Sequence, residues 1–281
     1  MEVVKTVFLL TLLTLLFVWF GGMLGGKQGM MIAFLMALAM NFWAYYNSDK
    51  AVLRHYHAVE VDERSAQGLY SIVRRLAQRA GTPMPKVYII PDHIPNAFAT
   101  GRNPSHAAVA VTEGLLELLD DHEVEAVLAH EMSHVKHYDI LIGTIAATIA
   151  GAIAMLTNFF YFFGGSSDDE RPNPIIAMVM MFVMPMVASI IQMAVSRNRE
   201  FMADEGAAKL TRHPEWLQSA LMKLENFNKG GIIHDATPET AHMFIVNPFT
   251  GKDFSFASLF STHPSTQARI ERLDALKHQL R

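Results

Sequence analysis

Four uncharged apolar runs constrain this chain more than any other feature. They are Val7 to Phe20, extended by the glycine-rich stretch Gly21 to Gly26, then Met30 to Tyr46, Ile140 to Phe163 and Ile175 to Val195. A helix needs about 20 apolar residues to cross a bilayer core, and each run is near that length. No small-residue cleavage site follows the first run, and a second run comes soon after. The two therefore read as a pair of spans turning near Lys27-Gln28, not as a signal peptide. Gly143, Ala147 and Gly151 give the third run a helix-packing spacing, and Pro185 predicts a kink in the fourth. The expected division is 1–48, spans one and two; 49–139, a polar segment; 140–195, spans three and four; and 196–281, a second polar segment.

The polar segments carry the chemistry. His130-Glu131-Met132-Ser133-His134 reads H-E-x-x-H. On a helix, residues four apart share a face, so His130 and His134 can hold one zinc ion while Glu131 takes a proton from its water. Asp120 with Glu123 forms a capping-box pattern, and Val124, Val127, Leu128, Met132 and Val135 supply an apolar stripe, so a helix is predicted here. A two-histidine site needs a third ligand. Glu200 can supply it. Asp204, four residues on, can accept from the free ring nitrogen of a ligand histidine. The chain has no cysteine, so thiolate ligands and disulfides are excluded. A net charge of -4 carries no signature of nucleic-acid binding.

Four motifs together carry a family resemblance: Asn96-Ala97-Phe98-Ala99-Thr100-Gly101, the H-E-x-x-H, Ser196 to Asp204, and Phe260-Ser261-Thr262-His263-Pro264. In these motifs the chain resembles the HtpX-type membrane metalloproteases, relatives of the zinc proteases that trim prenylated CAAX proteins. Relatives commonly continue the last motif with a second proline, where this chain has Ser265. The resemblance implies a mainly α integral membrane protein, with four transmembrane helices and a zincin-like α+β catalytic domain carrying a small sheet. It implies one Zn2+ per chain. It also puts Ala97 to Thr100 on an edge strand beside the metal, with Asn96, Ala97 and Phe98 binding substrate. Unfolded or membrane proteins are then the substrates, cut in quality control and stress response, with or without an adaptor.

Local patterns fill in the rest. Helices are predicted at Arg64 to Ala80, Glu113 to Leu119, Ala207 to Leu210, Pro214 to Asn226 and Thr266 to Leu280, and strands at Lys86 to Ile90 and Ala107 to Val111. Gly230-Gly231 breaks the chain before a loop from His234 to Asp253. His242 and His263 are candidates for oxyanion contact. Lys50, Arg54, Arg64, Lys136, Arg197 and Arg199 flank the spans on one side, whereas the Gly164 to Pro174 loop sets Arg171 against three acids. The catalytic domain and both termini are therefore expected to be cytoplasmic, and the resemblance implies the cell inner membrane as the location. Because the H-E-x-x-H helix leads into the third span and the fourth leads out to Glu200, the metal is expected at the membrane surface.

Other functions compete with this reading. A non-proteolytic scaffold or chaperone would have no need of Glu131. A transporter would be expected to carry ionisable residues inside its spans, and none is there. A CAAX-type processing protease remains the nearest alternative, and a count of four spans favours the smaller arrangement.

Overall fold

The computed structural model describes residues 2–141, 143, 145, 197–230, 244–245 and 264–280. Most of spans three and four, Pro185, the Gly164 to Pro174 loop, most of the His234 to Asp253 loop, His242 and His263 lie outside the described residues.

Helix α1, Glu2–His55, doubles back on itself at Gly25 and Gly26. Gly26 has φ 56 and ψ −143, a conformation that glycine alone adopts at no steric cost. The turn therefore falls at the glycine pair, just ahead of the expected Lys27-Gln28. The arms lie side by side. Asn41 Nδ2 donates to Thr14 Oγ1 at 2.8 Å and to Leu10 O at 3.3 Å, the kind of polar contact that holds helices together in lipid. Leu35, Met36, Phe42 and Trp43 are exposed along the second arm, as suits a surface solvated by acyl chains. Among the described residues one helix, Gly25–His55, is long and apolar enough to cross a membrane. The expectation of four spans thus meets one span and the arm paired with it.

The polar part is mostly helical around a mixed four-stranded sheet in the order β1-β2-β4-β3, formed by β1 (Val59–Val61), β2 (Lys86–Ile90), β3 (Ala97–Gly101) and β4 (Ala107–Thr112). The pair β2–β4 is parallel, and the other two pairs are antiparallel. Strand β1 is too short to leave a periodic pattern and is absent from the sequence reading. Helix α2 is Gln67–Ala80, three residues shorter than predicted. Its would-be first turn is taken by Asp62, whose Oδ1 accepts from the Arg64 and Ser65 N–H groups at 3.0 and 2.8 Å. The remaining helices are α3 (Glu113–Leu118), α4 (Asp121–Lys136), α5 (Arg197–Thr211), α6 (Pro214–Gly230) and α7 (Thr266–Leu280). Glu200, Asp204 and the stretch Ala207 to Leu210 all belong to the one helix α5. Helix α6 runs on to Gly230, past the Asn226 expected as its end.

Strand β4 shows how the sheet is covered on both faces. Val109 and Val111 join Val87, Leu76, Val127 and Leu128 in the main core, under α2 and α4. The alternate residues Ala108 and Ala110 join Ile90 and Phe98, packed against Val52, Leu53 and Tyr56 around the end of α1. The small side chains on that face let the membrane helix seat directly on the sheet.

Candidate metal centre

Helix α4 starts as its sequence dictates. Asp120 Oδ1 accepts from the His122 and Glu123 N–H groups, both at 3.0 Å, and Glu123 Oε2 accepts from the Asp120 N–H at 2.9 Å. The capping box satisfies two helix-end donors reciprocally. Lys223 and Ser219 of α6 hold the same Glu123 carboxylate at 2.7 Å each. The register is then fixed by burial: Val124, Val127, Leu128 and Met132 go into the core, and His130 and His134 share the face toward α5.

Helix α5 comes very close to α4. A Cβ on Gly206 would collide with Ser133 Oγ, so glycine is needed at this crossing. The approach brings Glu200 up to the histidines. His130 Nε2 and His134 Nε2 are 3.2 Å apart. Glu200 Oε1 is 3.4 Å from His134 Nε2, and Glu200 Oε2 is 3.6 Å from His130 Nε2. Ligand atoms about 2.0–2.1 Å from a tetrahedral ion sit roughly 3.3–3.4 Å apart. The three donors therefore fit a single small divalent cation. Glu205, one residue round from Asp204, pairs instead with Lys209 at the surface, at 2.6 Å.

Both histidines are oriented from behind. His130 Nδ1 is 2.9 Å from Asp204 Oδ1, and His134 Nδ1 is 3.1 Å from Asp139 Oδ2. A carboxylate on Nδ1 keeps the proton there and leaves the Nε2 lone pair facing the metal position. Each carboxylate has its own arginine. Arg269 of α7, only 1% exposed, donates Nε and Nη2 to Asp204 at 2.9 and 2.6 Å and Nη1 to Ile245 O at 2.7 Å. Arg199 Nη1 lies 3.6 Å from Asp139 Oδ1.

The electrostatics follow from burial and pairing. Burial would raise the Asp204 carboxyl, but Arg269 and His130 outweigh it and hold the group below the ordinary carboxylate range. Burial opposes a charged His134, yet hydrogen bonds to Asp139 and Glu200 push it up to about 10. Carboxylates that hold protons on imidazoles so firmly also favour a cation in the protons' place. Glu131 is raised, chiefly by burial, with His130 and His134 pulling the other way. Its Oε2 accepts from the Ala99 N–H of β3 at 2.9 Å.

Asp139, Arg199 in this role, and Arg269 escaped the sequence reading. One signal for Arg269 was available. It lies four residues before Leu273 and seven before Leu276, on the apolar stripe of α7, where a charge demands a buried partner. Of the expected substrate residues, Asn96 has its backbone committed to Thr112, with N–H to Oγ1 at 2.8 Å and O to N–H at 2.9 Å. Strand alternation turns the main-chain groups of Ala97 and Ala99 toward the edge that is left unpaired by any strand among the described residues. Phe98 sits on the far face of the sheet, its ring centroid 5.4 Å from that of Tyr56.

Two histidines and a glutamate around one point, with a further carboxylate beside them, make the kind of site found in metallopeptidases. The pattern of peptidase family M48 matches residues 63–277. A protease HtpX homolog from Sulfurovum sp. (strain NBC37-1) is 67% identical over 277 residues, covering 99% of this chain and 100% of that one. Another from Campylobacter hominis is 62% identical over 282 residues and covers 100% of each chain. The crystal structure of S. mikatae Ste24p is similar at 19% identity and a TM-score of 0.49, covering 87% of this chain, which spans 57% of that one. The chain belongs to peptidase family M48 and is a membrane-bound metalloprotease.

Proposed function

We propose that the chain is a zinc endopeptidase of the cell inner membrane that cuts unfolded or damaged membrane proteins. The observation that carries this reading is the cluster of His130 Nε2, His134 Nε2 and the Glu200 carboxylate, whose two oxygens lie 3.4 and 3.6 Å from nitrogens that are 3.2 Å apart, with Glu131 adjoining it and bonded to the edge strand. His130, His134 and Glu200 hold the metal, one ion per chain. Zinc bound there supplies Lewis acidity, polarising a carbonyl and lowering the pKa of water toward about 7.

The chain's own residues do the rest. The Glu131 carboxylate accepts a proton from the attacking water and delivers it to the leaving amide nitrogen. Asp204 and Asp139 fix the tautomer and tilt of His130 and His134, Arg269 keeps the Asp204 carboxylate charged, and Arg199 lies beside that of Asp139. Ala97 and Ala99 offer main-chain groups to an extended substrate, as sheet edges do. For that, Ala99 exchanges its bond to Glu131 for one to substrate, which frees the carboxylate for the water.

The spans carry the catalytic part on the cytoplasmic side, with both termini inside. The charge asymmetry of the flanks supports this orientation. Removal and return of metal test the proposal. Detergent-purified protein stripped with a chelator is expected to lose cleavage of an unfolded membrane substrate. Stoichiometric zinc is expected to restore it. Full cleavage by metal-free protein would refute the reading.

A further inference from the structure

The way α1 meets the edge strand fixes where the site stands relative to the bilayer. Phe42, Trp43 and Tyr46 are exposed at the end of the apolar stretch, just ahead of Asp49 and Lys50. Aromatic side chains of this kind gather where acyl chains give way to headgroups. From Lys27 to Tyr46 the second arm rises about 29 Å at 1.5 Å per residue, close to the ~30 Å of a hydrocarbon core. Tyr46 thus marks the boundary on the side of the catalytic part.

Strand β3 touches this helix at two heights. The Arg102 guanidinium, just past the strand's end, lies over the Tyr46 ring at 5.2 Å from its centroid. Phe98, near the strand's start, packs on Tyr56. Tyr46 to Tyr56 is about 15 Å along a helix, and Phe98 to Arg102 is about 13 Å along a strand. The agreement means that β3 runs beside the last turns of α1, pointing toward the bilayer. Ala99, whose N–H bonds Glu131, stands three residues above the boundary, roughly 10 Å.

We infer that β3 is a ruler set along the membrane normal, and that its substrates are the juxtamembrane segments of membrane-spanning proteins. The inference rests on the peptidase function proposed above. A chain leaving the bilayer beside α1 meets β3 at its membrane end and pairs upward along it. The bond it presents at Glu131 is about three to six residues from the end of its own span. A tethered segment reaches the strand at high effective concentration, and this advantage falls as the connecting chain lengthens. Cuts should therefore cluster near the boundary.

The test varies the substrate and leaves the enzyme intact. The enzyme with zinc is reconstituted in lipid vesicles together with single-span substrates bearing an unstructured tail of one repeated, uniformly cleavable segment. Cut positions are mapped by mass spectrometry. The expected result is a peak three to six residues from the span, moving residue for residue as the span's end is shifted. The same tail without its span is expected to be cut at least tenfold more slowly. Cuts that ignore the boundary, or equal rates with and without the span, would overturn the ruler alone. Absence of any cut in every substrate would take the peptidase reading down with it.

Discussion

Arg269→Met tests the buried arrangement behind His130 and has a calculable cost. Methionine keeps much of the side chain's volume but removes the cation. Asp204, 1% exposed, then keeps His130 as its remaining described partner, and Ile245 O loses its donor. Breaking a buried ion pair by removing one member costs about 3–5 kcal/mol. For a chain of this size, each kcal/mol lowers the melting temperature by roughly 2–4 °C, so a fall of about 6–20 °C is expected. Zinc affinity should fall as well, by roughly 10–100-fold, because Asp204 is then free to turn away from His130. The double variant Asp204→Asn with Arg269→Met removes the stranded charge. It should recover much of the stability and none of the zinc affinity. The assays are thermal unfolding in detergent, with chelator and with saturating zinc, and zinc competition against a chromophoric chelator. A single variant that melts within about 2 °C of the parent and binds zinc equally would refute the reasoning.

Glu200→Ala should lose most of its zinc in metal analysis of the purified protein, whereas Glu205→Ala, whose carboxylate faces Lys209, should keep it. Asp204→Asn and Asp139→Asn should each weaken zinc binding or hydrolysis by roughly 10–100-fold, since each removes the acceptor behind one ligand histidine; a neutral result for Asp139→Asn would remove it from that role. A reporter fused after Arg281 should be active on the cytoplasmic side, and activity confined to the outer side would overturn the orientation.

The site was legible in sequence where chemistry and local structure coincide. The capping box at Asp120 and Glu123, the apolar stripe and the i, i+4 histidines all fall within the one helix α4, and each level points to the same register. Glu200 and Asp204 were legible for the same reason, as a second pair on one face. Asp139 and Arg269 were not, because their meaning lies in their partners. Arg269 meets Asp204 from 65 positions away, through the docking of α7 on α5, and no local period records that encounter. Asp139 reads as a polar residue at the head of an apolar run until the helix end brings it to His134. The edge position of β3 came from likeness to other chains, since Ala97–Gly101 is too short and small for its own pattern to show it. The seat of α1 on the sheet was likewise hidden. It depends on alanines in β4 whose smallness matters only against Val52, Leu53 and Tyr56.

The central claim is that Glu131 performs the proton transfer within a zinc site it does not help to hold. The direct measurement is a paired assay of the parent protein and Glu131→Gln, purified with zinc, for metal content by mass spectrometry and for cleavage of an unfolded membrane substrate. The account predicts one zinc per chain in both, with products from the parent alone. Undiminished cleavage by a clean preparation of Glu131→Gln would contradict it.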